Sequence, residues 1–136
     1  MKGERTNGVA AVEFAIVLPL LILLVFGVIE FSVALYDKAM ITNASREGAR
    51  TGILFSDPRI SDAEIINVVN NYCGTHLITF GGPTGVTTTI QRAGDNPGDS
   101  LTVTVAYQYS FLILPTFVTD LTGGLNLAAE TVMRME

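Results

Sequence analysis

The sequence predicts an α+β fold in which a long N-terminal helix carries a small domain with a second helix and a three-stranded antiparallel sheet. Three observations lead to this prediction. Hydrophobic residues make up 49% of the 136 residues and are concentrated near the N-terminus. A helix-capping motif precedes a short stretch with helical periodicity. The C-terminal part contains β-branched and alternating stretches that are separated by turn residues.

The apolar N-terminal segment is long enough to cross a membrane. Residues 14–29 contain no charged residue, and the mostly apolar stretch 9–36 would form a helix of about 42 Å. Because a bilayer core requires about 20 apolar residues, we expect a transmembrane helix over 9–36. Lys2 and Arg5 precede this helix, which favours a cytoplasmic N-terminus and places residues 37–136 outside the membrane.

Two alternative interpretations of this segment are a cleaved secretory signal and a permanent anchor. A secretory signal would be cleaved at the small residues Ser32-Val33-Ala34 and would release a soluble domain. The length of the apolar stretch and the position of Glu13 ahead of its core favour a retained helix. A permanently anchored chain would instead keep its whole helix and present the outer domain to a ligand or a surface partner.

Glu13 places a carboxylate near the start of the apolar segment. An acidic residue at the centre of a membrane helix costs about 2.5–3.5 kcal/mol, and the cost falls near the edge, where the side chain reaches the headgroups. Cleavage between Gly8 and Val9 would give Glu13 a partner, because the new α-amine has a reference pKa of about 7.7–8.0 and is mostly protonated. Val9 and Glu13 are one helical turn apart, so this amine could pair with Glu13 of the same chain or of a neighbouring helix.

These residues resemble the processing site of type IV prepilins: Gly8, the stretch VAAV, and then Glu13 and Phe14 at the head of a long apolar helix. The resemblance implies that residues 1–8 are a cytoplasmic leader, which a membrane aspartic peptidase removes by cutting after Gly8. It also implies that Glu13, at the fifth mature position, is the acidic residue that sets register or recruitment during assembly.

The wider segment 8–52 resembles the TadE-like proteins, which are minor pilins or pseudopilins of the bacterial Tad (tight adherence, Flp-type) pilus. The resemblance is most specific over VEFAIVLPLL and NASREGARTG. The motif VAAVEF and the nearby Pro19 differ from general type IV pilins, whose motif is of the FTLIE type. The resemblance implies a protein of the bacterial inner membrane that initiates, primes or caps a Tad pilus. Its implied partners are a prepilin peptidase, other pilin subunits, the inner-membrane assembly platform and the lipid bilayer.

Helical character persists after Tyr36, over residues 37–52. Ala44, Gly48 and Gly52 are spaced four residues apart and form a face of small residues, which lets another backbone approach closely. We expect this helix-packing face to contact the sheet of the same chain, in preference to another subunit.

Local signals define the elements of the outer domain. Ser61 and Glu64 form an S-x-x-E capping box, so we predict a helix over 62–73 that ends at Gly74. Strands are predicted over 86–92, 101–114 and 126–135, although the alanine, glutamate and methionine of the last stretch also suit a helix. Alternation in the second strand places seven residues on one face: Leu101, Val103, Val105, Tyr107, Tyr109, Phe111 and Ile113.

The sequence contains no pattern that predicts catalysis, a metal or a cofactor. Cys73 is the single cysteine, so no disulfide framework exists, and Cys73 with His76 supplies too few ligands for zinc. The turn GDNPGD fails the calcium-loop pattern, and GGPTG lacks the spacing and lysine of a phosphate loop. The net charge of −5 and the absence of a basic stripe argue against nucleic acid. We therefore predict a protein that is not an enzyme.

Overall fold

The computed structural model describes residues 3–112 and 124–136, with side chains from residue 8 onward. Within this part, two helices and one three-stranded sheet follow one another along the chain and confirm the predicted α+β fold. The elements are α1 (Gly3–Ile53), α2 (Asp62–His76), β1 (Val86–Arg92), β2 (Ser100–Tyr109) and β3 (Leu125–Arg134).

Helix α1 is continuous over 51 residues and passes through Pro19 without a break. The predicted membrane segment 9–36 and the predicted extension 37–52 therefore form one helix. The two parts differ in burial. No residue from 8 to 29 is buried, whereas Glu30 and several residues after it are covered by the rest of the chain.

Helix α2 begins at the predicted capping box. The Ser61 hydroxyl accepts the Glu64 N–H at 3.3 Å, and the Glu64 carboxylate accepts the Ser61 N–H at 2.9 Å. The helix continues past Gly74, so the predicted stop at that glycine is wrong. It ends at His76, because Leu77 adopts an extended backbone and packs against the core.

The sheet is antiparallel, with β2 between β1 and β3. Alternate residues of β2 from Leu101 to Tyr109 are buried, as the predicted alternation requires. The strand ends at Tyr109 and not at 114, because the Leu112 N–H turns toward the Glu30 carboxylate on α1. Phe111 is half-buried, with its ring edge-on to Tyr109 at 5.4 Å. Residues 113 and 114 lie outside the described part.

The core lies between one face of the sheet and the two helices. The C-terminal half of α1 packs against α2, β2 and β3. Ile41 and Ala44 of α1, Ile65 of α2 and Val103 of β2 are fully buried there. No residue from 8 to 29, the apolar half of α1, is among the buried residues of this core.

Candidate functional site

The predicted processing site lies on the exposed part of α1. Val9 is 60% exposed, and a Cβ atom added to Gly8 would have no heavy atom within 4 Å. A glycine inside a helix is less favourable than alanine by roughly 0.5–1 kcal/mol. No tertiary contact in the described structure requires a glycine at position 8.

Glu13 is exposed on the same helix, one turn after Val9. Within the described residues, Glu13 forms no hydrogen bond or ion pair. The structure therefore does not bring it together with a partner from the domain. The predicted partner, an α-amine on Val9, does not exist in an uncut chain.

Apart from Glu13, the stretch 8–29 is apolar on all sides. Its side chains include Phe14, Ile16 and Leu20, which are 63%, 71% and 67% exposed. At 1.5 Å per residue its 22 residues extend about 33 Å, close to the hydrocarbon thickness of about 30 Å. Helix α1 is long and apolar enough to cross a membrane, and none of its most apolar window is buried. This single helix fits membrane anchoring.

Two acidic residues of α1 hold the domain against the helix. The Glu30 carboxylate is 2% exposed and accepts the Leu112 N–H, and the Asp37 carboxylate is fully buried and accepts the Ile78 N–H at 2.9 Å. The Tyr109 hydroxyl donates to the Glu30 carbonyl at 3.5 Å. Burial, with the nearby carboxylates of Glu30 and Asp37, raises the pKa of Tyr109 to about 12, so this hydroxyl stays protonated at neutral pH.

In the sequence, Glu30 directly follows the uncharged stretch 14–29, and no motif assigns a role to Glu30 or Asp37. A signal for their shared role was present, because a spacing of seven residues puts both carboxylates on the same face of a helix. Ala34 lies between them on this face and is 3% exposed. Cleavage after Ala34 would cut the helix within this packed region, so the structure favours the retained helix over the secretory alternative.

The small-residue face of α1 packs within the molecule. A Cβ atom on Gly48 would lie 2.7 Å from Val69 Cγ2, and one on Gly52 would lie 2.5 Å from both Ile65 Cδ1 and Leu101 Cδ2. Ala44 is fully buried on the same face. These residues therefore bring α1 close to α2 and the sheet.

Cys73 and His76 point to different surroundings. Cys73 is buried, and burial raises its thiol pKa to about 11, which disfavours the reactive thiolate. His76 is exposed, with Nδ1 2.8 Å from the Tyr72 carbonyl and its ring stacked on Tyr72. In the part of the chain that the structure describes, no group of three or more histidine, cysteine or acidic residues is placed to hold a metal ion.

The fold and the exposed helix define a class of protein: a small α+β domain carried on one helix that is able to span a membrane. Within this class, residues 8–50 match the family described as TadE-like protein. The match confirms the resemblance stated from the sequence. It covers 43 of the 136 residues, all of them in α1. No curated protein matches the chain, and neither does a solved structure.

Proposed function

We propose that this chain is a membrane-anchored minor pilin, or pseudopilin, that takes part in Tad-type pilus assembly after a prepilin peptidase cuts between Gly8 and Val9. The main observation in support is the setting of Gly8. This glycine lies in the TadE-like segment, at the head of the apolar stretch, where the fold itself does not need it.

A glycine at this position suits a substrate of a peptidase. Proteolysis requires the backbone to leave the helix locally, and glycine makes a helix less stable than alanine does, by about 1 kcal/mol. The absence of a side chain also leaves room for an enzyme to approach the peptide bond that follows. Gly8 and Val9 are thus residues on which another protein acts, and the chain itself is not an enzyme.

Cleavage changes the electrostatics of the helix end. The α-amine of Val9 is mostly protonated at neutral pH, and the Glu13 carboxylate lies one turn away. A carboxylate left without a partner in lipid is costly, so an ion pair between these groups favours one axial register over others. The pair forms within one chain or between neighbouring helices that are offset by about one turn.

The cut chain would be held in the bacterial inner membrane by the helix that starts at Val9. Lys2 and Arg5 favour a cytoplasmic N-terminus before cleavage. A helix that is apolar on all sides is suited to surroundings that are apolar on all sides. The bilayer supplies these before assembly, and the helices of other pilin subunits supply them within a pilus at the assembly platform.

The experiment compares Gly8→Ala with the matched control Gly27→Ala. Both glycines lie in α1, and at both positions a Cβ atom has open space, so neither change disturbs the fold. Each chain is co-expressed with the prepilin peptidase, and its N-terminus is read by intact mass and N-terminal sequencing. We expect the wild type and Gly27→Ala to begin at Val9, and Gly8→Ala to keep residues upstream of Val9. Wild-type processing of Gly8→Ala would contradict the proposed cleavage site.

A further inference from the structure

The domain has two ends that lie at different levels along α1. At the first, here called the Glu30 end, residues 77–85 and 110–112 connect the elements, and hydrogen bonds tie them to α1. The Leu112 N–H binds the Glu30 carboxylate, and the Ile78 N–H binds the Asp37 carboxylate. The Glu30 end is therefore the part of the domain closest to the exposed apolar stretch of α1.

The opposite end, here called the Ile53 end, carries charged groups. The Glu136 N–H donates to the Ile53 carbonyl at 3.1 Å, which places the chain terminus beside the end of α1. Arg92 forms ion pairs with Asp62 at 2.8 Å and with Asp95 at 3.5 Å. The side chains of Asp62 and Asp95 are 55% and 68% exposed, which suits contact with water.

Charge is distributed unevenly between the two ends. Residues 77–91 and 101–112, which form the Glu30 end and the strands that lead to it, contain no lysine, arginine, aspartate or glutamate. Residues 57–64 and 92–99, which lie toward the Ile53 end, contain seven. Apart from Glu30, Asp37 and Lys38 of α1, the described part of the Glu30 end is therefore uncharged.

Apolar side chains at the Glu30 end are exposed. Ile78, Phe80 and Leu112 are 38%, 50% and 57% exposed, and none of the described elements covers them. On α1 at the same level, exposed apolar and aromatic side chains continue this surface from the stretch 8–29. They are Phe31, Leu35 and Tyr36.

We propose that the Glu30 end of the domain docks on the surface of the bilayer that α1 spans, with Leu112, Phe80 and Ile78 in its interfacial layer. The hydrogen bond to Glu30 places Leu112 directly after the 22-residue apolar stretch, level with the edge of the hydrocarbon. Asp37, and with it Ile78, lies about 10 Å further along the axis. The headgroup layer adds roughly 5–7 Å to each side of the hydrocarbon core.

A tilt of α1 brings the remaining side chains into this layer. Membrane helices are tilted by about 20° on average. The domain lies to one side of α1 at a packing distance of about 8–10 Å, so such a tilt toward the domain lowers its elements by about 3 Å. The continuous helix cannot swing the domain away independently, so membrane contact at the Glu30 end fixes the orientation of the domain. This inference depends on membrane anchoring and holds for the cut and the uncut chain alike.

A single tryptophan tests the proposal, because the chain contains none. Phe80→Trp reports on the Glu30 end. Phe55→Trp is the matched control, since Phe55 is 74% exposed and follows α1 at the Ile53 end. Each full-length chain is placed singly in lipid nanodiscs of phosphatidylethanolamine and phosphatidylglycerol. Its fluorescence is then quenched by brominated lipids or by acrylamide in the water.

We expect brominated lipids to quench Phe80→Trp several-fold more strongly than Phe55→Trp, and acrylamide to show the reverse preference. Leu112→Trp provides a second reporter at the same end if Phe80→Trp does not fold. Equal quenching at both ends would overturn the proposal. If lipid quenching or protection from acrylamide occurs only when several chains share one disc, this surface forms contacts between copies of the chain. That result would also overturn the proposal.

Discussion

The two halves of helix α1 have the same backbone conformation and opposite surroundings. From 8 to 29 the helix is apolar on every side except at Glu13, and none of its residues is buried. From 30 to 53 it has one buried face, which includes the charged residues Glu30 and Asp37. The glycines show the same contrast, because a Cβ atom on Gly27 would have no neighbour within 4 Å, whereas one on Gly52 would lie 2.5 Å from two core side chains.

This difference shows that hydrophobic content and burial are separate properties in this chain. The most apolar part of the helix is its most exposed part, and buried charges occur in the less apolar part. An exposed apolar surface of this size indicates a partner or a membrane outside the chain. The C-terminal half packs against the rest of the chain, while the N-terminal half leaves its apolar side chains exposed to a membrane or a partner outside the chain.

The largest expected loss of stability comes from placing a larger side chain at Gly52, where α1 packs closely against its neighbours. Gly52→Leu places a side chain where Ile65 and Leu101 already fill the space. Overpacking of this kind costs about 3 kcal/mol. Gly27→Leu is the matched control, because it enters open space and leaves the free energy of unfolding within about 0.5 kcal/mol of wild type. Urea unfolding of the domain in nanodiscs measures both changes, and equal effects would contradict the contrast between the two halves.

A smaller loss of stability is expected at Glu30. Glu30→Ala removes the charged acceptor of the Leu112 N–H from a part-buried hydrogen bond, at a cost of about 1–3 kcal/mol. Glu30→Gln keeps an oxygen acceptor and should lose less. Glu47→Ala is the control, since its 4.0 Å ion pair with Arg50 is exposed and contributes less than about 1 kcal/mol. Thermal unfolding and hydrogen exchange of the Leu112 amide report the differences. Unchanged exchange in Glu30→Ala would show that this contact does not hold the domain.

The smallest effect on folding is expected for substitution of Glu13, which should impair pilus assembly instead. Glu13→Ala leaves the fold and cleavage after Gly8 essentially unchanged, because Glu13 is exposed and has no partner in the described structure. Without the carboxylate, the amine of Val9 loses its register partner, so pilus assembly is impaired. Counting pili by electron microscopy, alongside a mass measurement of processing, tests this expectation. Normal piliation in Glu13→Ala would remove the proposed role of this residue.

Local sequence patterns were sufficient to predict the main elements. The capping box at Ser61 and Glu64 marked the start of α2, and alternation marked the central strand. Gly74 does not end α2, because glycine ends a helix only where the backbone leaves the helical conformation, and that happens at Leu77. The end of β2 could not be predicted from its own residues, because a distant carboxylate, Glu30, determines it.

In the candidate site, too, some residues can be identified from the sequence and others only from the fold. Gly8, Val9 and Glu13 form a local motif, so their proposed roles follow from sequence and need no tertiary information. The roles of Glu30 and Asp37 depend on loops about 80 and 40 residues later in the chain. Glu30 directly follows the uncharged stretch 14–29, and only the folded structure shows that the domain covers Glu30 and Asp37.

We propose that the N-terminal half of α1 is cut after Gly8 and then serves as an assembly helix. The decisive measurement is the identity of the N-terminal residue of the mature chain, purified from membranes of cells that assemble the pilus. N-terminal sequencing and intact mass should identify Val9 as the first residue. A chain that begins at Met1 would contradict the claim and indicate a permanent anchor, and one that begins at Leu35 would contradict it in favour of a secreted domain.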